Sequence, residues 1–499
     1  MTTEEELKRL RRDQQLLQEH LARRDERIVQ LEQQVMQRDE RLAQMQEQLS
    51  VLSEQVQTLQ AQLKKDSHNS HLPPSSDRFV RRPKSLRKRS GKQAGGQEGH
   101  PGTTLHLSET PDEVIVHAVE VCAQCQHDLR AVASPLTERR QVIEVPPKRV
   151  VVIEHQAQRK WCPVCQHVTE ASFPDEVKAP VQYGARIGAI AVYLQQAQLL
   201  PYERVCEVLH EVLGASLTAG TLKTLVDRCA EQLAPVEEQI KQHVQQAAVL
   251  HQDETGLYVG GHRSWLHVSA TEQLTHYAVH PKRGKAALEA IGILPGYTGV
   301  SVHDGWRAYQ SYACRHGLCN VHHLRELTFL YEVLQQDWAG EMITLLLDLK
   351  QAVAQARSQG HTHLHALEVQ DWKARYRALL AEGYQANPLP AEPPPKGKGR
   401  RKQSPARNLL DRLSTHQEAV LAFLDDFAVP FDNSVSERDI RMVKVQQKVS
   451  GCFRSLGGAQ AFCRIRGYVS TLRKQGLSVL HALEAAMLGH PVLPAFELS

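Results

Sequence analysis

Carboxylates at the ends of apolar runs are the first residues in this chain that could do chemistry. The run VLHQDETG (249–256) puts Asp253 where an apolar strand meets a turn, and GVSVHDGWRAY (299–309) does the same with Asp304 after two more strand-like runs. Two strands of one sheet, each with an aspartate at comparable height, set two anions side by side. Such a pair repels unless a cation lies between them. Mg²⁺ suits the position, because it binds through carboxylates while keeping waters and phosphate oxygens. A lone Asp at a strand end is ordinary turn chemistry, so it is the pair that counts. A third acid, Glu437, follows in VPFDNSVSERDIRMVKVQQK (429–448), where Asn433 reads as a helix cap. At about 100° per residue, Glu437, Arg441, Lys444 and Lys448 fall within an arc of about 60°. One helix face then carries a carboxylate followed by three cations, with Arg438 beside it. The plain alternative is a solvated helix with Glu437 and Arg441 paired at i,i+4.

Cysteines offer a second chemistry. Cys122-Ala-Gln-Cys125 and Cys162-Pro-Val-Cys165 can each aim two thiolates at one ion, and together they make a Cys₄ set for structural Zn²⁺. The 36 residues between the pairs exceed the usual ribbon spacing. A hairpin over 141–155, turning at Pro146-Pro147, would return the second pair to the first. His127 and His167 each sit two residues after a pair and are possible substitutes, and four unrelated thiols are the alternative. Cys319-Asn-Val-His322 offers half of another metal site with no second half in a recognised spacing, and a structural role is expected.

These residues need elements to position them. Leu21, Ile28, Val35, Leu42, Leu49, Val56 and Leu63 recur every seven residues, and Arg24, Leu31, Arg38, Met45, Leu52 and Leu59 follow three positions on. That is an a/d seam, so a coiled coil and self-association are expected over 1–66. A basic Gly/Pro-rich linker fills 67–111. Eight cations and no acid stand between Arg78 and Lys92. Arg81, Arg82, Lys84, Arg87, Lys88 and Arg89 there suit a phosphate backbone, unless the stretch merely solubilises. Next come a β-rich zinc-binding module (112–175) and a helical region (176–246). The helical stretches 201–213 and 219–234, with a Gly turn between them, resemble a helix-turn-helix and are a candidate for reading DNA. Apolar β-type runs recur at 247–251, 264–270, 276–280 and 298–303. Helices over 321–428, interrupted by a disordered Pro/Gly/Lys-rich segment (387–407), separate the segment 247–320 from 429–499.

Composition narrows the class. At roughly 100–200 residues per domain, 499 residues predict two to four domains. The net charge is only +4, yet the cations are clustered, so DNA is not excluded. No apolar run approaches the ~20 residues of a membrane span. The charged start MTTEEELKRLRRDQQ has no secretory h-region, so a soluble cytoplasmic protein with reduced thiols is expected.

HQDETG, HDGWRAY, GLCNVHHLREL and VPFDNSVSERDIRMVKVQQKVSGCFRS, in that order, resemble the DDE transposases of the insertion-sequence 66 family. The likeness extends to the heptads, PPSSD, GGQEGHPG, both CxxC pairs, LPYERVCEVL and GTLKTLVDRC. It implies a multidomain chain whose α/β ribonuclease-H-like core carries a helical insertion before the last acid. Asp253, Asp304 and Glu437 would be the three acids holding Mg²⁺ or Mn²⁺, with Glu254 and Asp439 as bystanders. The chemistry implied is nicking at the element ends, then transfer of the freed 3′-hydroxyl to target DNA. The chain would be a bacterial, nucleoid-associated homo-oligomer, with accessory proteins of the same element among its expected partners. Asn433-Ser434 departs from the paired Asn usual in the family. A DNA-binding regulator or architectural protein with a catalytically silent core, and a metal-dependent nuclease without strand transfer, are the alternatives.

Overall fold

The computed structural model describes residues 3–66, 68–70, 107–133, 139–143, 150–389 and 403–496. The six linker cations from Arg81 to Arg89 lie outside the described residues. In chain order the helices are α1 (Thr3–Leu63), α2 (Ala185–Val192), α3 (Tyr202–Leu213), α4 (Ala219–Gln232), α5 (Ala234–Gln246), α6 (Lys285–Ile291), α7 (Asn320–Glu332), α8 (Asp337–Ser358), α9 (Ala366–Ala386), α10 (Pro405–Thr415), α11 (Gln417–Val420), α12 (Ala422–Asp425), α13 (Ser434–Ser450), α14 (Leu456–Lys474) and α15 (Val479–Met487). The strands are β1 (Arg159–Trp161), β2 (Val168–Glu170), β3 (Val249–Val259), β4 (His262–Ala270), β5 (Thr275–His280), β6 (Val300–His303) and β7 (Arg315–Leu318). No described helix is long and apolar enough to cross a membrane.

The chain divides into two units, Met1–Lys84 with Cys319–Phe427, and Ser85–Leu318 with Ala428–Ser499. In the first, α1 runs for 61 residues without Gly or Pro. It ends where the Asp66 carboxylate accepts the N–H groups of His68 (2.9 Å) and Asn69 (3.1 Å). The seam from Leu21 to Leu63 stays exposed along the single chain. Helices α7 to α10 bury Leu327, Leu346, Leu349, Leu410 and Leu413. Gly383 marks the closest approach, since a Cβ there would lie 2.5 Å from Leu410 and 3.0 Å from Trp338. Helix α10 starts inside the segment expected to be disordered. Ser404 accepts the Arg407 N–H as its cap, and Pro405 takes the first helical position, where no N–H is needed.

The second unit holds a five-stranded sheet in the order β5-β4-β3-β6-β7. Strands β3, β4 and β5 are antiparallel, and β6 and β7 run parallel to β3. Alternation along β3 sends Leu257 and Val259 into a core with Val435, Ile440 and Val443 of α13 and Phe462 of α14. It sends Leu250 to the other face, into a core with Leu222, Val236 and Ile240 of α4 and α5. The pair α3–α4 forms as its sequence predicts. Gly214 is left-handed (φ 69°), and Thr218 caps α4 by accepting the Thr221 N–H at 3.1 Å.

Two expectations fail locally. Of the hairpin expected over 141–155, the described residues 141–143 and 150–155 form no strand, with Val142, Ile143, Val151, Val152 and Ile153 exposed, and the Pro146-Pro147 turn lies outside the described residues. Their β-type sequence lacks a pairing strand, and a strand without a ladder has nothing to satisfy its backbone. Asp253 is not at a strand end either. Strand β3 continues to Val259 because β4 pairs with it from His251 to Val259, and the turn falls at Gly260-Gly261, both with positive φ.

Candidate active site and zinc knuckles

Register brings the first two acids to one level. His251 pairs with Val302 across the parallel β3–β6 ladder, so two residues further on Asp253 comes level with Asp304 on the neighbouring strand. Adjacent strands lie about 4.8 Å apart. Asp304 is exposed just past β6, where Gly305 (φ 90°) turns the chain away and the Trp306 N–H donates to its carboxylate at 2.9 Å. Glu437 is half-buried in the first turn of α13.

Asn433 joins that helix to β3. Its amide nitrogen donates to the Gln252 carbonyl (2.8 Å), and its oxygen accepts from His251 Nδ1 (2.9 Å). Asn433 stands at the N-cap position as expected, but its side chain makes no cap bond, and Asp432 instead accepts the Ser434 N–H (3.1 Å). Burial, then the charges of Glu254 and Asp304, and more weakly that of Glu437, push the Asp253 carboxyl well above the usual carboxylate range. The Glu254 N–H, 2.8 Å from its Oδ1, works the other way. The three acids therefore share one field, although their nearest oxygens do not all lie within 4.8 Å of one another.

The loop after Asp304 is tied down by a histidine relay. The Gly305 N–H donates to His303 Nδ1 (3.0 Å), His303 Nε2 meets His316 Nδ1 of β7 (3.1 Å), and His316 Nε2 meets the Tyr312 carbonyl (3.1 Å). Arg438, Arg441, Lys444 and Lys448 are all exposed on α13. Lys444 reaches back to the Gly256 carbonyl at 3.0 Å, and partial burial with Arg263 nearby lowers its pKa.

The two cysteine pairs form matching knuckles. In the first, the Cys122 N–H donates to His127 O (2.8 Å) and the Gln126 N–H to Cys122 O (2.9 Å), with Gln126 left-handed at φ 59°. In the second, Cys162 donates to His167 (2.9 Å) and Gln166 to Cys162 (3.0 Å), with Gln166 at φ 57°. Strands β1 and β2 flank the second knuckle, and a bridge between Val121 and Asp128 closes the first. Amide N–H groups of Cys125 and then Gln124 lower the Cys122 thiol pKa, and those of Cys165 and Val164 do the same for Cys162. Each knuckle is thus preset for a thiolate, which is the form that binds zinc. No three of the four sulfurs lie within 4.8 Å of one another.

Residues 180–461, more than half the chain, match the family described as Transposase IS66 family. The chain belongs to the IS66 transposase family. Residues 120–166 of this transposase match the zinc-finger binding domain of transposase IS66, a span that contains all four knuckle cysteines. Residues 3–106 match a family of unknown function. The uncharacterized protein y4jD of Sinorhizobium fredii is 21% identical over 390 residues, covering 73% of this chain and 74% of that protein.

Some of the transposase's local architecture was invisible in its sequence. Glu254, taken as a bystander, has a buried side chain that accepts from Arg283 and Tyr309. Asp439 is a buried structural acid held by Thr275, Ser470 and Lys474. Strand β7, of sequence RHGL, is too short and too polar to show periodicity. The acids close to Asp253 and Glu437 were the available signal, but nothing local says what they meet.

Proposed function

We propose that this chain is an active DDE transposase that binds the ends of its own element, cuts them and joins the freed 3′-hydroxyl to target DNA. The observation that carries the reading is the convergence of Asp253, Asp304 and Glu437 from β3, the end of β6 and α13 on one field. The β3–β4–β5 meander continued by parallel β6 and β7, with α13 and α14 on one face, supports a ribonuclease-H-like core. The donor set fits a divalent metal, since an acid disfavoured as an anion by neighbouring acids regains its charge once a cation is present. When bound, Mg²⁺ or Mn²⁺ supplies activation of the attacking hydroxyl and stabilisation of the leaving oxygen in an in-line displacement.

The protein's own part is positioning. Asp253 and Asp304 stand level on adjacent strands, Asn433 fixes the helix that carries Glu437, and the exposed cations of α13 extend from Glu437 as a track for phosphates. The exposed heptad seam of α1 supports a coiled coil with a second copy, because the seam otherwise stays in water. The four cysteines of the knuckles would hold structural Zn²⁺, and the α3–α4 pair would read element ends.

The test is Mg²⁺-dependent cleavage and strand transfer on DNA bearing the element ends, comparing the wild type with Glu437→Gln. The variant keeps size and polarity and removes the charge. Both activities should fall by roughly three orders of magnitude or more with DNA binding retained. Equal activity in the two proteins overturns the assignment. Cutting without joining would identify a nuclease.

A further inference from the structure

We infer that Glu254 is a positioning residue that clamps the Asp304 loop to the strand carrying Asp253; this rests on the triad reading above. Successive residues of β3 point to opposite faces, so Asp253 lies on the α13 side of the sheet and Glu254 on the other. The Glu254 side chain is only 2% exposed, and both of its oxygens are engaged. One accepts Arg283 Nε (2.9 Å) and Nη2 (2.6 Å), and the other accepts the Tyr309 hydroxyl. A carboxylate so committed is not a ligand in waiting. Its partners lead to Asp304 instead. Tyr309 lies five residues after that acid. The Arg283 guanidinium is 4.3 Å from the Trp306 ring, and Trp306 stands edge-on to Tyr309 at 5.5 Å. The Trp306 N–H is the group that donates to Asp304.

Glu254 therefore acts on Asp304 through Arg283, Trp306 and Tyr309. Asp304 is an exposed acid on a loop, and this clamp holds that loop beside the histidine relay that fixes Gly305. A ligand displaced by about 1 Å can cost two orders of magnitude in a positioned reaction. Removing one clamp partner should leave the fold intact while loosening the spacing of the two aspartates. Arg283→Lys keeps the charge but loses the planar fork that spans Glu254 and the tryptophan.

The test uses full-length protein and Mn²⁺ as a paramagnetic probe, with binding followed by electron paramagnetic resonance and folding by thermal melts. Glu254→Gln, Arg283→Lys and Tyr309→Phe should each weaken Mn²⁺ binding roughly tenfold or more. The double variant Glu254→Gln/Tyr309→Phe should bind no worse than the weaker single. Tyr309→Phe removes one hydroxyl and keeps the ring, so it carries the test if Glu254→Gln fails to fold. Loss of Mn²⁺ binding in Glu254→Gln alone, with Arg283→Lys and Tyr309→Phe unchanged, would make Glu254 a ligand and overturn the inference. Lower melting temperatures with unchanged Mn²⁺ affinity would reduce the clamp to a fold contact and overturn it too. Asp253→Asn and Asp304→Asn are the controls. Wild-type Mn²⁺ binding in both would sink the triad reading itself, and the clamp with it, an outcome distinct from the other two.

Discussion

Asp439 stands two residues beyond Glu437 in α13, about 200° round the helix, and replacing it should damage the fold rather than the chemistry. Its Oδ1 accepts the Ser470 hydroxyl (2.8 Å), while Oδ2 accepts the Thr275 hydroxyl (2.9 Å) and the Lys474 ammonium (2.9 Å). Lys474 also donates to the Thr271 (2.8 Å) and Leu274 (3.1 Å) carbonyls, and its side chain is 16% exposed. Asp439→Ala leaves that ammonium in a nearly dry site with only the weaker charge of Glu272 to oppose its own. Breaking a buried pair from one side costs about 3–5 kcal/mol. At roughly 2–4 °C per kcal/mol for a unit of this size, the apparent melting temperature should fall by about 6–20 °C. Glu437→Gln, which touches none of these partners, should melt within about 2 °C of the wild type. The double variant Asp439→Ala/Lys474→Met should recover part of the loss, since the stranded charge goes with the lysine. The assay is a thermal melt of the four proteins by circular dichroism, paired with end cleavage. An Asp439→Ala protein that melts like the wild type but no longer cuts DNA would refute the reasoning and make Asp439 the third acid.

Two further outcomes follow from buried titratable and thiol groups. Burial lowers His267 and His276 from 6.5 to about 4, so on acidification the unfolded chain takes their protons first. Their stabilisation is complete above the unfolded value and is lost as pH falls toward 4, roughly 2 kcal/mol for each histidine between pH 7 and pH 5. Urea midpoints at the two pH values should show it. His276→Gln should remove its own share of the pH-dependent loss, roughly 2 kcal/mol, and an unchanged slope would contradict the assignment. Cys162→Ser should abolish structural zinc measured by elemental analysis of the full-length protein, whereas Cys452→Ser, at an exposed unpaired thiol, should not. A full zinc complement in Cys162→Ser would remove the knuckles from the metal site.

Much of this protein was legible in its local spacing, because the interactions concerned act over a few residues. The CxxC turns, the Thr218 cap, Gly214 between α3 and α4, and the apolar runs of β3 to β6 all depend on neighbours within a turn or a strand. The order of the three acids was legible for the same reason, as each lies in its own short motif. What the acids do for one another was not. Asn433 bonds His251 across 182 positions, Arg283 reaches Glu254 across 29, and Lys474 reaches Asp439 across 35. Those meetings depend on which strands neighbour which and in what register, and that order comes from burying both faces of the sheet at once. The same collective term carries β3 through the polar DETG stretch to Val259, and leaves the described β-like residues 141–143 and 150–155 outside any strand. Sequence by itself therefore determined most of the helices, the strands β3 to β6, the knuckles and the choice of candidate acids. Tertiary packing alone decided that Asp253 and Asp304 stand level, that Glu254 faces the Asp304 loop, and that Asp439 holds α13 down. A side chain's partner is set by the pairing and burial of whole elements, which no local pattern encodes.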